Sequence, residues 1–344
     1  MTRRTINSLV ALTIPEIQNL FLEQMQDVVD RALLDEMVAA IEAGDAEALF
    51  RATGYTPAVL GPMLDRIERL YREAAEVTAD GFPASIRTPT GSVIFRFDMR
   101  NPLVEQELRQ HSSGLVTSIT EDTREVVRAN LERGMIAGRN PRNTALDIVG
   151  RIDPKTKKRI GGAIGLTPRQ DRWVANARRY LEQADERYFT LTLRDKRFDK
   201  TVERYIAEGK PIPTETLEKA IVSYKNRALK YRADVIARTE TLGTIQRSDY
   251  QVHKQLITDG VLPASAIRKW WNAVGDRRTR PSHNVMERQT KENPIEMDEP
   301  FVSPSGARLM HPGDRTLGAP AKETIQCRCK LEYKVDWLAW GLDE

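Results

Sequence analysis

Cys327 and Cys329 are the only cysteines in 344 residues, and a single arginine, Arg328, separates them. Residues two apart in an extended segment face the same side, so both sulfurs are presented together while Arg328 points away. A bridge between them would close a small strained ring, which leaves two reduced thiols available as ligands. Thiolates and imidazoles bind zinc, and His283 and His311 lie in the same C-terminal stretch. His283, His311, Cys327 and Cys329 therefore have the atom types and the number of a structural zinc site, although their spacing is not that of a zinc finger. The other reading is that reduced cysteines fill a small core as compact apolar groups.

Catalytic chemistry finds little to work with. The stretch ADVIARTET carries Arg238, Thr239 and Glu240 on a helix whose Val235, Ile236, Thr239 and Leu242 are expected to face the core. A half-buried Arg and Glu demand partners, so this motif is expected to tie the helix to another element. A metal-dependent nuclease or hydrolase centred on His283, Glu240, His311 and the cysteines is the alternative. Such an enzyme needs clustered carboxylates, or an open metal position beside a general base, and neither is visible. No GxxxxGK[ST], HExxH or GxSxG occurs. The expectation is a protein that is not an enzyme and has no catalytic residues.

The elements that position these residues follow from apolar spacing. Residues 15 to 44 read as two helices ending at Gly44, and Pro57 opens another with Leu64, Ile67, Leu70, Tyr71 and Ala74 on one face. Val93, Phe95 and Phe97 alternate with Ile94, Arg96 and Asp98, which predicts a short strand insertion near 92–98. A helical pattern runs from Pro102 to Leu131, with a break expected at Ser112, Ser113 and Gly114 and a cap near Ser118 to Glu121. Asp-Pro and Gly-Gly dipeptides bracket Lys155, Lys157, Lys158 and Arg159, which predicts an exposed basic loop over 151–162. Its lysines meet either water or nucleic acid. Helices follow over about 168–186, 198–209 and 214–258.

After Gly260 the character changes to Pro- and Gly-rich segments. A strand through Lys269 to Ala273 puts Trp270 and Trp271 on opposite faces, the inner one packed. Asp276, Arg278 and Thr279 sit in a turn, and Pro281 with Ser282 opens a short helix carrying His283. FVSPSGARLMHPGD reads as a hairpin. At the end Trp337, Leu338, Trp340 and Leu342 must be covered, either by the chain's own module or by a partner. The fold class is thus mainly α with a small α+β C-terminal module. Three regions are expected: helical residues 1–90 as a partner-binding part, a helical core 91–260, and the compact module 261–344.

Lys and Arg number 53 against 49 Asp and Glu, a net +4, which disfavours a protein that only coats DNA. No apolar run reaches the roughly 18 to 20 residues of a membrane span, and no signal-peptide cleavage site precedes Pro15, so a protein that starts soluble in the cytoplasm is expected.

In order along the chain stand FDMRNP, SITEDTREVVRANLERGMIAGRNP, RADVIARTET, a Trp-bearing strand, DRRTRPSH, a Gly-containing hairpin with a Pro-Gly-Asp turn, and a closing CRC. Over about residues 95 to 335 this resembles the Mu F-like phage head morphogenesis proteins, also called minor head or minor capsid proteins. The resemblance implies a low-copy structural component of a tailed-phage head at the portal vertex. It would act in head assembly and, as in some relatives, in genome release. Its implied partners are the portal protein, other head proteins and, without sequence preference, packaged double-stranded DNA, with no membrane involved. Some relatives carry Cys-x-x-Cys where this chain has Arg280-Pro281-Ser282-His283, and close with His-Pro-x-Cys-Arg-Cys. The resemblance thereby implies a shared metal or structural cluster of His283, Cys327 and Cys329. Two cysteines of the richer pattern are absent here, and His311 is too far from Cys327 to match the closing His. Toxin domains fused to some relatives would not fit in residues 336 to 344.

Overall fold

Helices form where apolar residues recur at three- and four-residue intervals, in a chain that the computed structural model describes over residues 5–340, apart from the Leu103 side chain. In order they are α1 (Ile6–Arg31), α2 (Leu34–Ala43), α3 (Ala46–Ala52), α4 (Gly61–Ala79), α5 (Pro102–Ile136), α6 (Pro141–Val149), α7 (Pro168–Glu182), α8 (Asp199–Ala207), α9 (Thr214–Thr258), α10 (Pro281–Lys291) and α11 (Ala321–Thr324). Nine short strands accompany them among the described residues: β1 (Ile86–Thr88), β2 (Gly91–Val93), β3 (Arg151–Ile152), β4 (Arg159–Ile160), β5 (Ile267–Asn272), β6 (Ile295–Glu296), β7 (Phe301–Val302), β8 (Arg308–Leu309) and β9 (Lys330–Val335). The protein is mostly helical, with small antiparallel sheets.

The described residues group into two compact units. One takes residues up to Ile17, Leu64–Gln110 and everything from Val235 on; the other takes Gln18–Met63 and His111–Asp234. In the second, Val126, Leu166, Val174, Leu181, Val202 and Ile221 share a core. In the first, Tyr250, Leu256, Ile267, Trp271, Met286 and Phe301 form a core that also takes in both cysteines.

Several local expectations change. α1 begins nine residues before Pro15, because Thr5 and Ser8 cap it reciprocally: Thr5 Oγ1 accepts the Ser8 N–H (3.2 Å) and Ser8 Oγ accepts the Thr5 N–H (3.0 Å). Pro15 is carried inside the helix. α2 does stop at Gly44, whose φ of +68° suits glycine. α5 runs unbroken through Ser112, Ser113 and Gly114, and Ser118 to Glu121 cap nothing. Buried Leu115, Ile119, Val126 and Val127 outweigh the cost of about 1 kcal/mol for an interior glycine. Of the strand expected near 92–98, only Gly91–Val93 pairs, with β1. α9 spans the expected range, but its buried face runs through Ala237, Glu240, Thr241 and Thr244, leaving Val235, Ile236, Thr239 and Leu242 half-buried.

The C-terminal sheet has order β6-β5-β9, all antiparallel, with Trp271 opposite Leu331 and Lys269 opposite Tyr333. Ile267, Lys269 and Trp271 point inward along β5 while Trp270 is half-buried on the other face, as the alternation required. Lys269 is fully buried. Its Nζ donates to the Met310 carbonyl (3.0 Å) and lies 4.9 Å from the Tyr250 ring and 5.1 Å from that of Phe301. Burial pushes its pKa down to about 7; Asp298 and Asp314 oppose the shift, and Lys254 adds to it. Between pH 7 and 10.5 the unfolded chain holds a proton that the folded chain has lost, so stability rises with pH across that window. Lys269→Met is expected to flatten that rise and to stabilise the protein by about 1–2 kcal/mol at pH 7, measured by urea unfolding at several pH values.

Candidate metal centre

Helix α10 and the loop before β9 meet at His283, and α9 holds that loop in place. α10 presents His283 from its first turn, after Arg280 donates to the Ile325 carbonyl and fixes the helix start against the cysteine loop. The chain then reaches Gln326, whose φ of +53° turns the backbone, and the Gln326 N–H donates to Thr239 Oγ1 of α9 (3.0 Å). Cys327 and Cys329 follow, and β9 locks in as the Leu331 N–H donates to Gln246 Oε1 (2.8 Å). Thr239 of the RTET stretch thus holds the loop that carries the closing CRC.

His283 Nδ1 stands 3.3 Å from Cys329 Sγ and 3.6 Å from Cys327 Sγ. The ligand atoms of these three residues all lie within 4.8 Å of one another, and the side chains are buried: His283 is 1% exposed and each cysteine 5%. This group could bind a metal ion. On the far side of the imidazole, Nε2 faces Glu323 Oε2 at 3.1 Å. Ser282 and Ser305 hydroxyls donate to the two carboxylate oxygens (2.9 and 3.1 Å). Burial works against the charge on Glu323, yet the two hydroxyls and then His283 hold its carboxyl below the usual range. Glu323, held by the two serines, anchors Nε2 of His283 and so leaves Nδ1 facing the sulfurs, the orientation that carboxylate partners give metal-bound histidines.

Hydrogen bonding from the Cys327 thiol lowers the pKa of Cys329 to about 5, against burial and with help from His283; the same bond pushes Cys327 up. The pair therefore supplies one thiolate readily, and a bound cation would take the second. Trp271 closes the floor, its ring edge-on to His283 (centroids 5.0 Å) and to Phe301 (5.2 Å). Outside, Arg328 forks onto Asp276 with 2.8 and 2.6 Å bonds, while Asp276 also accepts the Arg278 N–H and the Thr279 hydroxyl. The turn residues singled out in DRRT and the middle residue of CRC are thus one contact.

The remaining candidates lie elsewhere. His311 is not part of the metal group: its Nδ1 meets the Pro312 carbonyl (3.1 Å), its ring rests against Tyr250 (5.7 Å), and burial pushes its pKa down to about 4. Asp314 shapes that turn by accepting the Met310 and Thr316 amides, and Gly313 passes so close to Gly243 that an added Cβ would lie 3.2 Å from its Cα. Glu240 is buried on α9 and Arg238 is exposed there; neither belongs to the metal group. Lys155, Lys157 and Lys158 are exposed at the tip of the β3–β4 hairpin, where Asp153 accepts the Lys155 and Thr156 amides, and Arg159 folds back onto the Gly150 carbonyl. The terminal tryptophans rest on their own unit: Trp337 lies 5.2 Å from the Phe82 ring, and Trp340 Nε1 donates to the Val261 carbonyl (3.0 Å). Leu338 stays 75% exposed, and Leu342 lies outside the described residues.

Residues 196–332 match the family described as phage Mu protein F like protein. This stretch is a Mu F-like domain. Neither a curated protein nor a solved structure matches the chain. The Mu F-like family is one of phage head structural proteins, and its match takes in α9 together with Thr239, His283, Glu323, Cys327 and Cys329. Within the Mu F-like domain, Glu323 is the site residue that sequence reasoning missed. It stands four positions before Cys327, and the need of a buried metal-facing histidine for a carboxylate partner is the signal that could have found it. No described helix is long and apolar enough to cross a membrane.

Proposed function

We propose that the chain is a structural minor head protein of a tailed bacteriophage, bound at the portal vertex and acting in head assembly. The observation that carries this reading is the Mu F-like match over the long helix and the module closed by Cys327 and Cys329. Its partners are then the portal protein and other head proteins, first in the host cytoplasm and later in the virion. Immunogold labelling of purified heads tests it. Gold at a single vertex is expected; label spread over the shell, or none on heads that contain portal, overturns the proposal.

In this reading the metal centre is structural and holds zinc. Two sulfurs and one nitrogen, all buried, would supply three of the four ligands of a tetrahedral zinc ion that joins α10 to the segment before β9. With three protein ligands the fourth position stays open, so what a zinc hydrolase would lack here is a general base beside it. The nearest carboxylate, Glu323, is committed to His283, Ser282 and Ser305.

The basic hairpin is the part we assign to packaged DNA, at packaging or ejection. Three exposed lysines at a tip favour phosphate contact without base readout, which is salt-sensitive. Replacing Lys155, Lys157 and Lys158 by alanine is expected to lower the slope of log K against log salt by about 2–3 in duplex-binding titrations. An unchanged slope would remove DNA contact from this hairpin.

A further inference from the structure

Helix α7 carries four arginines, and only Arg178 is neutralised, by a fork onto Glu218 with 2.6 and 3.0 Å bonds. The two acidic residues of the helix are committed to other cations: Asp171 accepts from Arg133 (2.6 Å), and Glu182 lies 3.9 Å from Arg178. Arg169, Arg172 and Arg179 are exposed, and none has a carboxylate within ion-pair distance among the described residues. Arg179 meets only the neutral Asn176 Oδ1 (3.2 Å). Arg169 stands in the first turn, where the helix dipole disfavours a cation, so helix stability does not account for it.

These side chains form one row. At 3.6 residues per turn, Arg169, Arg172, Asn176 and Arg179 fall within about 80° of one another, opposite the buried Val174, Ala177 and Leu181. The row is about 15 Å long, a length over which a duplex presents several phosphates. Two of its guanidiniums are held on aromatic rings: Arg169 lies 5.6 Å from the Trp173 ring centroid and Arg179 5.3 Å from that of Tyr180. Stacking of this kind fixes a guanidinium and leaves its N–H edge free for an anion. Trp173 is backed in turn by Tyr231 of α9 (centroids 6.4 Å). The surroundings narrow the occupant. No large apolar side chain is exposed on α7, so the row lacks the anchors on which a protein interface is built. Rings already covered by guanidiniums offer no face for stacking bases, which favours a duplex backbone over a single strand.

We infer that the outer face of α7 binds the phosphate backbone of duplex DNA without base readout, through Arg169, Arg172 and Arg179. This rests on the DNA partnership proposed above but uses none of the hairpin's residues, so the two contacts fail separately. Anisotropy titrations of the full chain with a labelled duplex of mixed sequence, at several salt concentrations, test it. Arg169→Gln, Arg172→Gln and Arg179→Gln together are expected to lower the slope of log K against log salt by about 2–3, and lysine at the same three positions is expected to keep it. The three arginines are exposed, so neither set should disturb folding. A slope that the glutamine variant leaves unchanged overturns the inference, whatever the hairpin variant does. Poly-glutamate bound as tightly as the duplex also overturns it and makes the face a site for an acidic protein. A chain that binds no duplex even at low salt overturns both contacts.

Discussion

Trp271→Ala should destabilise the first unit by about 3–5 kcal/mol, read from urea unfolding. Trp271 is fully buried, at the centre of β5, with an inter-strand neighbour on one side and a helix on the other. Its ring meets His283 and Phe301 edge-on, and its backbone N–H donates to Thr290 Oγ1 of α10 (3.0 Å). Alanine would keep that backbone bond and lose the ring, so most of the loss is packing. A second consequence is specific to the site. His283 would lose the wall that sets its ring plane, so the metal group should loosen as well as the core. Trp270→Ala is the internal control: that side chain is half-buried on the opposite face, and a cost of about 1 kcal/mol is expected there. Equal losses at the two positions would contradict the inward register of β5.

Loss of the metal should be comparably severe. A ligand held at a thousand times its dissociation constant stabilises the folded state by about 4 kcal/mol, or roughly 10 °C in the unfolding midpoint of a unit this size. Removing zinc with a chelator and replacing both cysteines, Cys327→Ser with Cys329→Ser, should each produce a loss of that order. The chelator should then have no further effect on the double variant. That equivalence separates zinc binding from thiol packing. Cysteines acting only as small apolar groups would make the double variant unstable and leave the wild-type chain indifferent to chelation.

The sequence made the helical body and the ends of α9 legible, because apolar periodicity over many turns is a strong local signal. Alternation along β5 also showed that one tryptophan of the Trp270–Trp271 pair would be packed, while the structure shows that it is Trp271. Three features stayed hidden, each for a stated reason. The Ser112–Gly114 break was a local propensity that packing of Leu115 and Ile119 overrode. The strand near 92–98 had the right alternation, but pairing depends on a neighbour that a linear pattern does not name, and only Gly91–Val93 found one. In the metal group, His283, Cys327 and Cys329 were visible from ligand chemistry, whereas His311 had the same chemistry and a different place. Glu323 escaped because a carboxylate recognised only through its contact with a histidine has no spacing of its own. Thr239 shows the converse: a residue marked only as part of a helix motif proved to bind the backbone just before Cys327.

The most direct measurement is the zinc content of the purified native chain by elemental mass spectrometry, alongside the Cys327→Ser, Cys329→Ser variant. About one zinc per chain in the wild type, and none in the variant, is expected for a site that takes one imidazole and two thiolates from the chain. A folded wild-type chain that carries no zinc, or a variant that keeps it, would contradict the metal centre and leave His283 and the two cysteines as a packed hydrogen-bonded cluster.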